Sequence, residues 1–285
     1  LYERAAGSVS PIGSAYPGLD EIALGSVMAF DYEAGDGLTI PAFVTLPPGR
    51  SAQDGPFPLV VMPHGGPHVR DDRRFHWWAQ AYAAQGYAVL QPNFRGSQGY
   101  GPDFFEAGFG EFGGLMIQDM LDGTEALRAA GVARDGPACF AGASYGGYAA
   151  LMVAIRAPQE VACVIAVNAV TRPVVILGDA SRERRRGALA FWERYIGDRF
   201  MDAEAASAIS PLRRADAVAA PVLLVHGEAD AVVDVEDARL LAAALSERPD
   251  ATYLELPEVG HDLQSAAARQ TILEESARLL DQALR

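Results

Sequence analysis

Cys139-Phe-Ala-Gly-Ala-Ser-Tyr-Gly-Gly147 is the stretch on which the reading of this chain turns. Within it, Gly142-Ala-Ser-Tyr-Gly146 matches G-x-S-x-G, a pattern that puts a serine on a strained turn between a strand and a helix. The flanking glycines have a physical reason: so tight a turn leaves no room for neighbouring β-carbons. The context agrees. Pro137 to Ala141 can form a short buried strand, and Tyr145 to Arg156 is Ala-rich and helix-prone. A chance Gly/Ser loop would lack that frame, so Ser144 is the candidate nucleophile.

Outward from this unit, strands and helices alternate. Leu59 to Met62, Tyr87 to Gln91, Val161 to Val167, Pro221 to Val225 and Ala251 to Leu256 read as further strands. Trp77, Trp78, Ala81 and Tyr82 share a helical face; Leu115–Ala130, Val235–Ser246 and a closing amphipathic segment through Ile272, Leu280 and Leu284 read as helices. The pattern predicts a mostly parallel central sheet with helices on both faces. Before it, Val27–Tyr32 and Leu38–Leu46 read as two strands of a hairpin joined by Glu33-Ala-Gly-Asp-Gly37. Residues 1 to about 25 carry Gly, Ser and Pro without periodicity and read as a linker. About fifty residues separate Val167 from Pro221, far beyond the usual connection of about 2–6. That insertion has two readings: a helical lid over the site, or an excursion that only buries its own apolar face. It carries Arg182 to Arg186 and Arg194, for which a solvated face competes with a substrate-binding role.

With 285 residues and 50% hydrophobic content, the chain can bury one large core, and one catalytic domain over 26–285 is expected. A formal net charge of −14 argues against nucleic-acid backbones and anionic membranes as partners. No apolar run approaches the ~20 residues of a membrane span. Leu1 stands where an initiator Met would, so the lack of a signal peptide leaves the compartment open between cytoplasm and periplasm. Cys139 and Cys163 each fall in an apolar strand, and are expected to be buried free thiols rather than a disulfide.

A serine hydroxyl needs a base to take its proton and an acid to orient that base. Around such a turn the order along the chain is Ser, then Asp or Glu, then His. Of the five histidines, only His226 and His261 follow Ser144, and no strand-terminal acid lies between Ser144 and His226. His261 alone satisfies the order. The acid belongs in the loop His226-Gly-Glu-Ala-Asp-Ala-Val-Val-Asp234, which offers Glu228, Asp230 and Asp234; Asp230 is preferred and Asp234 comes next. Asp262 should point elsewhere. A developing oxyanion needs two backbone N–H donors. Tyr145 gives one, and the loop His64-Gly-Gly-Pro67 gives the other from Gly65 or Gly66, because Pro67 has no N–H. His64 and His68 are four apart, but the intervening Gly-Gly-Pro forbids the helix that would align them on a metal. No cofactor or metal is expected.

Together, His64-Gly-Gly-Pro67, Asn93-Phe-Arg-Gly-Ser-Gln-Gly-Tyr-Gly101, Gly142-Ala-Ser-Tyr-Gly-Gly-Tyr148, His226-Gly-Glu-Ala-Asp230 and Gly260-His261 resemble the catalytic domain of the prolyl oligopeptidase family of serine peptidases. The acylaminoacyl-peptidase and dipeptidyl-peptidase-like branch is the part of the family they resemble most. The resemblance runs from about residue 27 to the end of the chain, and the Asn93–Gly101 stretch is its most specific part. It implies an α/β-hydrolase fold and the triad Ser144, Asp230 and His261, and favours Gly66 with Tyr145 for the oxyanion; the candidate lid is the insertion at about 170–218. Two departures stand out. Asp234 follows Val233 where the family usually has Pro, and only Leu1 to Gly7 looks like the end of a preceding propeller blade. The family's limit to short substrates is therefore not carried over. Arg95 is expected to hold its glycine loop rather than touch substrate.

The expected activity is hydrolysis of a peptide bond through an acyl-enzyme on Ser144. A carboxylesterase with the same triad is the alternative, and an inactive hydrolase fold used for binding is the third reading. The expected partner is a peptide or small acyl substrate; a homo-oligomer remains open.

Overall fold

The computed structural model describes residues 2–10, 16–176, 186–197 and 202–285. In chain order its strands are β1 (Tyr2–Glu3), β2 (Ser8–Val9), β3 (Val27–Ala29), β4 (Tyr32–Glu33), β5 (Thr39–Ile40), β6 (Ala42–Thr45), β7 (Leu59–Val61), β8 (Ala88–Pro92), β9 (Ala138–Ala143), β10 (Val161–Val167), β11 (Val222–Gly227) and β12 (Ala251–Leu256). Eight of them form one sheet in the order β12-β11-β10-β9-β7-β8-β6-β3. From β12 to β8 neighbouring strands run parallel; β6 pairs antiparallel with β8 and with β3. The expected hairpin is present but split. Its base is the β3–β6 pair, and its tip is a separate β4–β5 pair.

Side chains alternate across the sheet as strand geometry requires. Val61, Leu90, Phe140, Val164 and Leu224 join one apolar cluster, while Val60, Val89, Ile165, Leu223 and Val225 join a second on the opposite face. Helices α2 (Pro102–Glu106), α3 (Leu115–Ala129), α4 (Tyr145–Arg156) and α7 (Val235–Ala244) join the first cluster through residues such as Phe104, Met120, Val153 and Leu241. Helices α1 (Trp77–Ala84) and α8 (Ala266–Leu284) cover the second, α8 through Ala268, Ile272, Leu280 and Leu284. Helix α1 buries Trp78 and Tyr82 as the pattern suggests, but Ala79 and Ala83 rather than Ala81 complete its inner face.

The expectation of free thiols is corrected. Cys139 and Cys163 form a disulfide, with an S–S distance of 2.01 Å and Cα atoms 4.6 Å apart. The cause is register: β9 and β10 are neighbours in the sheet, and the two cysteines are partners across it on the same face. Spacing along a parallel pair does not encode which residues end up opposite one another.

After β10 the insertion forms a helical turn at 173–176, α5 (Arg186–Ile196) and a short α6 (Ala203–Ala208). Tyr195 and Ile196 are fully buried, and the Tyr195 hydroxyl donates to the Gly96 carbonyl at 2.8 Å. Most of the arginine run, 182–185, lies outside the described residues. Arg194 sits over the Phe109 ring at 3.9 Å and pairs with Glu106. At the other end of the chain, β1 and β2 make a small antiparallel ribbon that exposes Tyr2 and Val9.

Candidate active site

Ser144 lies between the end of β9 and the start of α4, with φ 58° and ψ −121°. These are strained torsions for a residue with a β-carbon, held because the backbone is fixed on both sides. Its N–H donates to the Val167 carbonyl at 2.9 Å, and its carbonyl accepts from Tyr148 at 3.0 Å. The flanking glycines are sterically required. A β-carbon on Gly142 would meet the Gly146 carbonyl carbon at 2.5 Å, and one on Gly146 would meet the Pro63 carbonyl oxygen at 2.1 Å.

Asp230 is in the loop after β11, with its side chain fully buried. Its Oδ2 accepts the Nδ1–H of His261 at 2.7 Å, and its Oδ1 accepts from the N–H groups of Val232 and Val233 at 2.8 and 2.9 Å. Burial works to raise its pKa, but the His261 hydrogen bond and the two backbone donors outweigh that and hold the carboxyl below its ordinary value. The other acid candidates are engaged elsewhere: Asp234 caps α7 by accepting from the Glu236 N–H, and Glu228 and Asp262 are exposed. His226, excluded by chain order as the base, is fully buried beneath this loop. Its Nε2 donates to the Val233 carbonyl at 3.0 Å and lies 3.5 Å from Asp230.

Asn168 joins these loops, and sequence reading missed it. The residue directly follows Val167, which holds Ser144. Its Oδ1 accepts from the Gly227 N–H at 2.9 Å, and its Nδ2 reaches the carbonyls of Gly260 and His261 at 3.5 and 3.4 Å. It is wholly buried with φ 46°, a region that asparagine tolerates better than most residues. One side chain thus spans the ends of the acid loop and the histidine loop. The described residues include no hydrogen bond between Ser144 and His261; in ligand-free hydrolases that contact often tightens only around substrate.

Ser144, Tyr145 and Gly66 line one cleft of about 610 Å³. Its walls are apolar at Phe112, Val170, Ile176 and Trp192, so the insertion after β10 contributes to the cleft as well as to the core. Its polar rim carries Arg172, Asp234, Glu236 and Asp237. Arg172 is tied to Asp237, its Nε donating to Oδ1 at 2.6 Å, and the same carboxylate accepts from the Thr171 N–H at 2.9 Å. Among the described residues no group of three or more His, Cys, Asp or Glu could hold a metal ion.

The sequence model of the prolyl oligopeptidase family (Peptidase_S9) matches residues 73–285. The chain belongs to the prolyl oligopeptidase family. Members of this family are serine peptidases, and the chain shares their hydrolase scaffold. It is 32% identical over 276 residues to the dipeptidyl aminopeptidase BIII of Pseudoxanthomonas mexicana, covering 91% of this chain and 39% of that protein. It is 31% identical over 287 residues to dipeptidyl peptidase family member 6 of Caenorhabditis elegans, covering 93% of this chain and 39% of the relative. Among solved structures, a puromycin-hydrolysing peptidase of Mycobacterium tuberculosis superposes with a TM-score of 0.82 at 24% identity, covering 91% of this chain and 39% of the other. The acylaminoacyl peptidase of Pyrococcus horikoshii gives 0.80 at 22% identity, covering 95% of this chain and 44% of the other. Those two likenesses concern the fold. The chain thus spans about two fifths of the length of each of these four proteins.

Arg95, in the family-like glycine loop, has the holding role expected of it. Its guanidinium donates to Asp119 through Nε and Nη2 and to Asp36 through Nη1 and Nη2, at 2.7–3.1 Å, and it is only 4% exposed. None of residues 93–101 lines the cleft. The signals for Asn168, Arg172 and Asp237 were absent because each acts through a partner more than fifty residues away in the chain.

Proposed function

We propose that this domain hydrolyses peptide bonds through an acyl-enzyme on Ser144. The supporting observation is the Asp230–His261 hydrogen bond of 2.7 Å, tied through Asn168 to the end of β10, where the Val167 carbonyl accepts the Ser144 N–H. In the first half-reaction His261 accepts the Ser144 hydroxyl proton as Oγ bonds to the carbonyl carbon. It then returns that proton to the leaving amine as the C–N bond breaks. In the second, water takes the place of the amine, His261 accepts its proton, and the acid product leaves as Ser144 regains a hydrogen. Asp230 holds the imidazole in the Nδ1–H tautomer and stabilises the imidazolium. The N–H groups of Tyr145 and Gly66 receive the developing oxyanion.

The cleft rim bears three carboxylates against one arginine, and that arginine is already paired with Asp237. This balance favours a substrate with a free amino group, in keeping with the dipeptidyl aminopeptidase name of one relative. The test is a panel of dipeptidyl p-nitroanilides, their N-acetylated counterparts and p-nitrophenyl esters, run on wild type and Ser144→Ala. Free-amine anilides should be cleaved fastest, and only by wild type. Ester turnover without anilide cleavage would replace the peptidase reading with the carboxylesterase one. An unlabelled Ser144 after treatment with a fluorophosphonate would point to a binding protein.

A further inference from the structure

Arg172 and Val175 line the active-site cleft and also a neighbouring cavity of about 330 Å³ that plays no part in the mechanism above. One wall of this cavity is the segment from Arg172 to Val175, just after β10; the other is α6 and the turn behind it, with Ser207 and Arg213. We propose that the cavity binds a carboxylate of the substrate, held by Arg213 and Arg172; the proposal rests on the peptidase reading just given.

Charge makes the cavity unusual for this chain. With 37 acidic residues against 23 basic ones, the overall field repels anions. Among the described residues, no carboxylate lines the cavity. Arg172 is neutralised by Asp237, its Nε donating to Oδ1 at 2.6 Å. The Arg213 guanidinium meets no carboxylate among the described residues, whereas Arg128, Arg239 and Arg248 each have one. The lining therefore keeps one uncompensated positive charge, that of Arg213, which suits a ligand with a single negative charge.

Both arginines hang from one buried framework. Thr171 is fully buried; its N–H donates to Asp237 Oδ2 at 2.9 Å and its hydroxyl to the Asp237 carbonyl at 3.1 Å. Its own carbonyl accepts from the Ser210 hydroxyl at 2.9 Å and the Leu212 N–H at 3.2 Å. Ser210 Oγ in turn accepts the Arg213 N–H at 3.4 Å. The backbones that carry the two guanidinium groups are thus set relative to each other before substrate arrives, which lowers the ordering cost of binding. A planar guanidinium offers paired N–H groups to both oxygens of a carboxylate. Pro173, Val174 and Ala206 give apolar surface for the carbon atoms beside that group, and Ser207 adds a hydroxyl.

A carboxylate can come from two places on a peptide. One is an acidic side chain on the residue whose carbonyl Ser144 attacks; the other is the C-terminal carboxylate of the leaving segment. Either is open to the cavity through the wall it shares with the cleft at Arg172 and Val175. Asp234 and Glu236 on the cleft rim repel the same group, so a carboxylate is directed to the arginine side.

The experiment measures kcat/KM on two matched pairs of substrates. The first pair is dipeptidyl p-nitroanilides with Glu or Gln next to the scissile bond. The second is a tripeptide with a free C-terminal carboxylate and the same tripeptide as its amide, with the cleaved bond identified by mass spectrometry. Wild type should favour the carboxylate about five- to tenfold in one of the pairs, and the pair that shows it names the source. Arg213→Ala should abolish the preference, and Arg213→Glu should invert it. Arg214→Ala removes a neighbouring arginine that does not line the cavity, and should keep the wild-type ratio. A thermal melt of each variant accompanies the kinetics; if Arg213→Ala does not fold, Arg213→Glu decides by the same ratio. Wild type with no carboxylate preference in either pair overturns the proposal. So does a preference that survives in the Arg213 variants, or one that Arg214→Ala abolishes equally, because net charge alone would then account for it. Wild type that cleaves neither pair overturns the peptidase reading and this proposal together, whereas cleavage of both members of each pair at equal rates overturns this proposal alone.

Discussion

The Asp230 carboxylate is filled from both sides: His261 donates to one oxygen at 2.7 Å, and the Val232 and Val233 N–H groups donate to the other. Both backbone donors survive when the acid becomes an amide, because an asparagine Oδ1 can still accept them. The second oxygen would become an NH₂ group, which can face only the unprotonated Nδ1 of His261. That fixes the wrong tautomer, with the remaining N–H turned toward Ser144. Asp230→Asn should therefore fold normally and lose roughly 10⁴-fold in kcat. Steady-state kinetics beside a thermal melt checks this; a variant keeping more than about a tenth of wild-type kcat would remove Asp230 from the mechanism.

Arg95 and Asp119 form a buried ion pair with side chains 4% and 0% exposed. Removing the cation strands the carboxylate in the core. Arg95→Met should lower stability by about 3–5 kcal/mol, seen as a shift in the urea midpoint at constant m. The neighbouring Asp36 is 44% exposed, so Asp36→Asn should cost much less. Equal effects of the two substitutions would contradict this assignment of the pair.

Asp71 gives a pH signature. Burial pushes its carboxyl up to about 7. In the unfolded chain the same group titrates near its ordinary value of ~3.9. Between those values the native state holds the proton more tightly than the unfolded state, so this group's contribution to stability declines as pH rises from about 4 to about 7 and is then level. Asp71→Asn removes the effect. The difference in stability between variant and wild type should grow in the variant's favour across that window, and denaturation curves at pH 4, 5.5, 7 and 8 measure it. A constant difference would mean that Asp71 titrates normally.

The Cys139–Cys163 bridge makes a covalent prediction. Denatured protein should take up no iodoacetamide until it is reduced, and then two equivalents, one per cysteine of the chain. The bridge joins residues separated by 24 positions, and replacing both cysteines with alanine should cost about 2–4 kcal/mol. Free thiols in unreduced protein would show that the two strands do not bring the cysteines together.

How much of this was legible in the sequence depends on how far each feature reaches. The Ser144 turn was legible because its determinants are local: Gly142 and Gly146 are the positions where a β-carbon collides. Helix α4 spans the same Tyr145–Arg156 that its alanine-rich pattern marked, and β10 and β12 likewise match their apolar runs. The disulfide was not legible, since it depends on the alignment of β9 with β10, and both strands are apolar along their whole length. Asn168 directly follows the apolar run that ends at Val167, and nothing local sets it apart. Its role exists only because β10 lies between β9 and β11 in the sheet, within reach of loops that come 59 and 92 residues later. The Arg172–Asp237 pair was hidden for the same reason, its partners meeting across 65 residues.

Asn168 also bears on how this scaffold can be re-engineered. Because one amide serves the entry to the acid loop and the backbone of the histidine loop, neither loop is a free-standing cassette. A histidine loop grafted from another hydrolase would arrive with carbonyls spaced for a different crosspiece. A chimera should therefore exchange the strand end at 168, the acid loop and the histidine loop as a set.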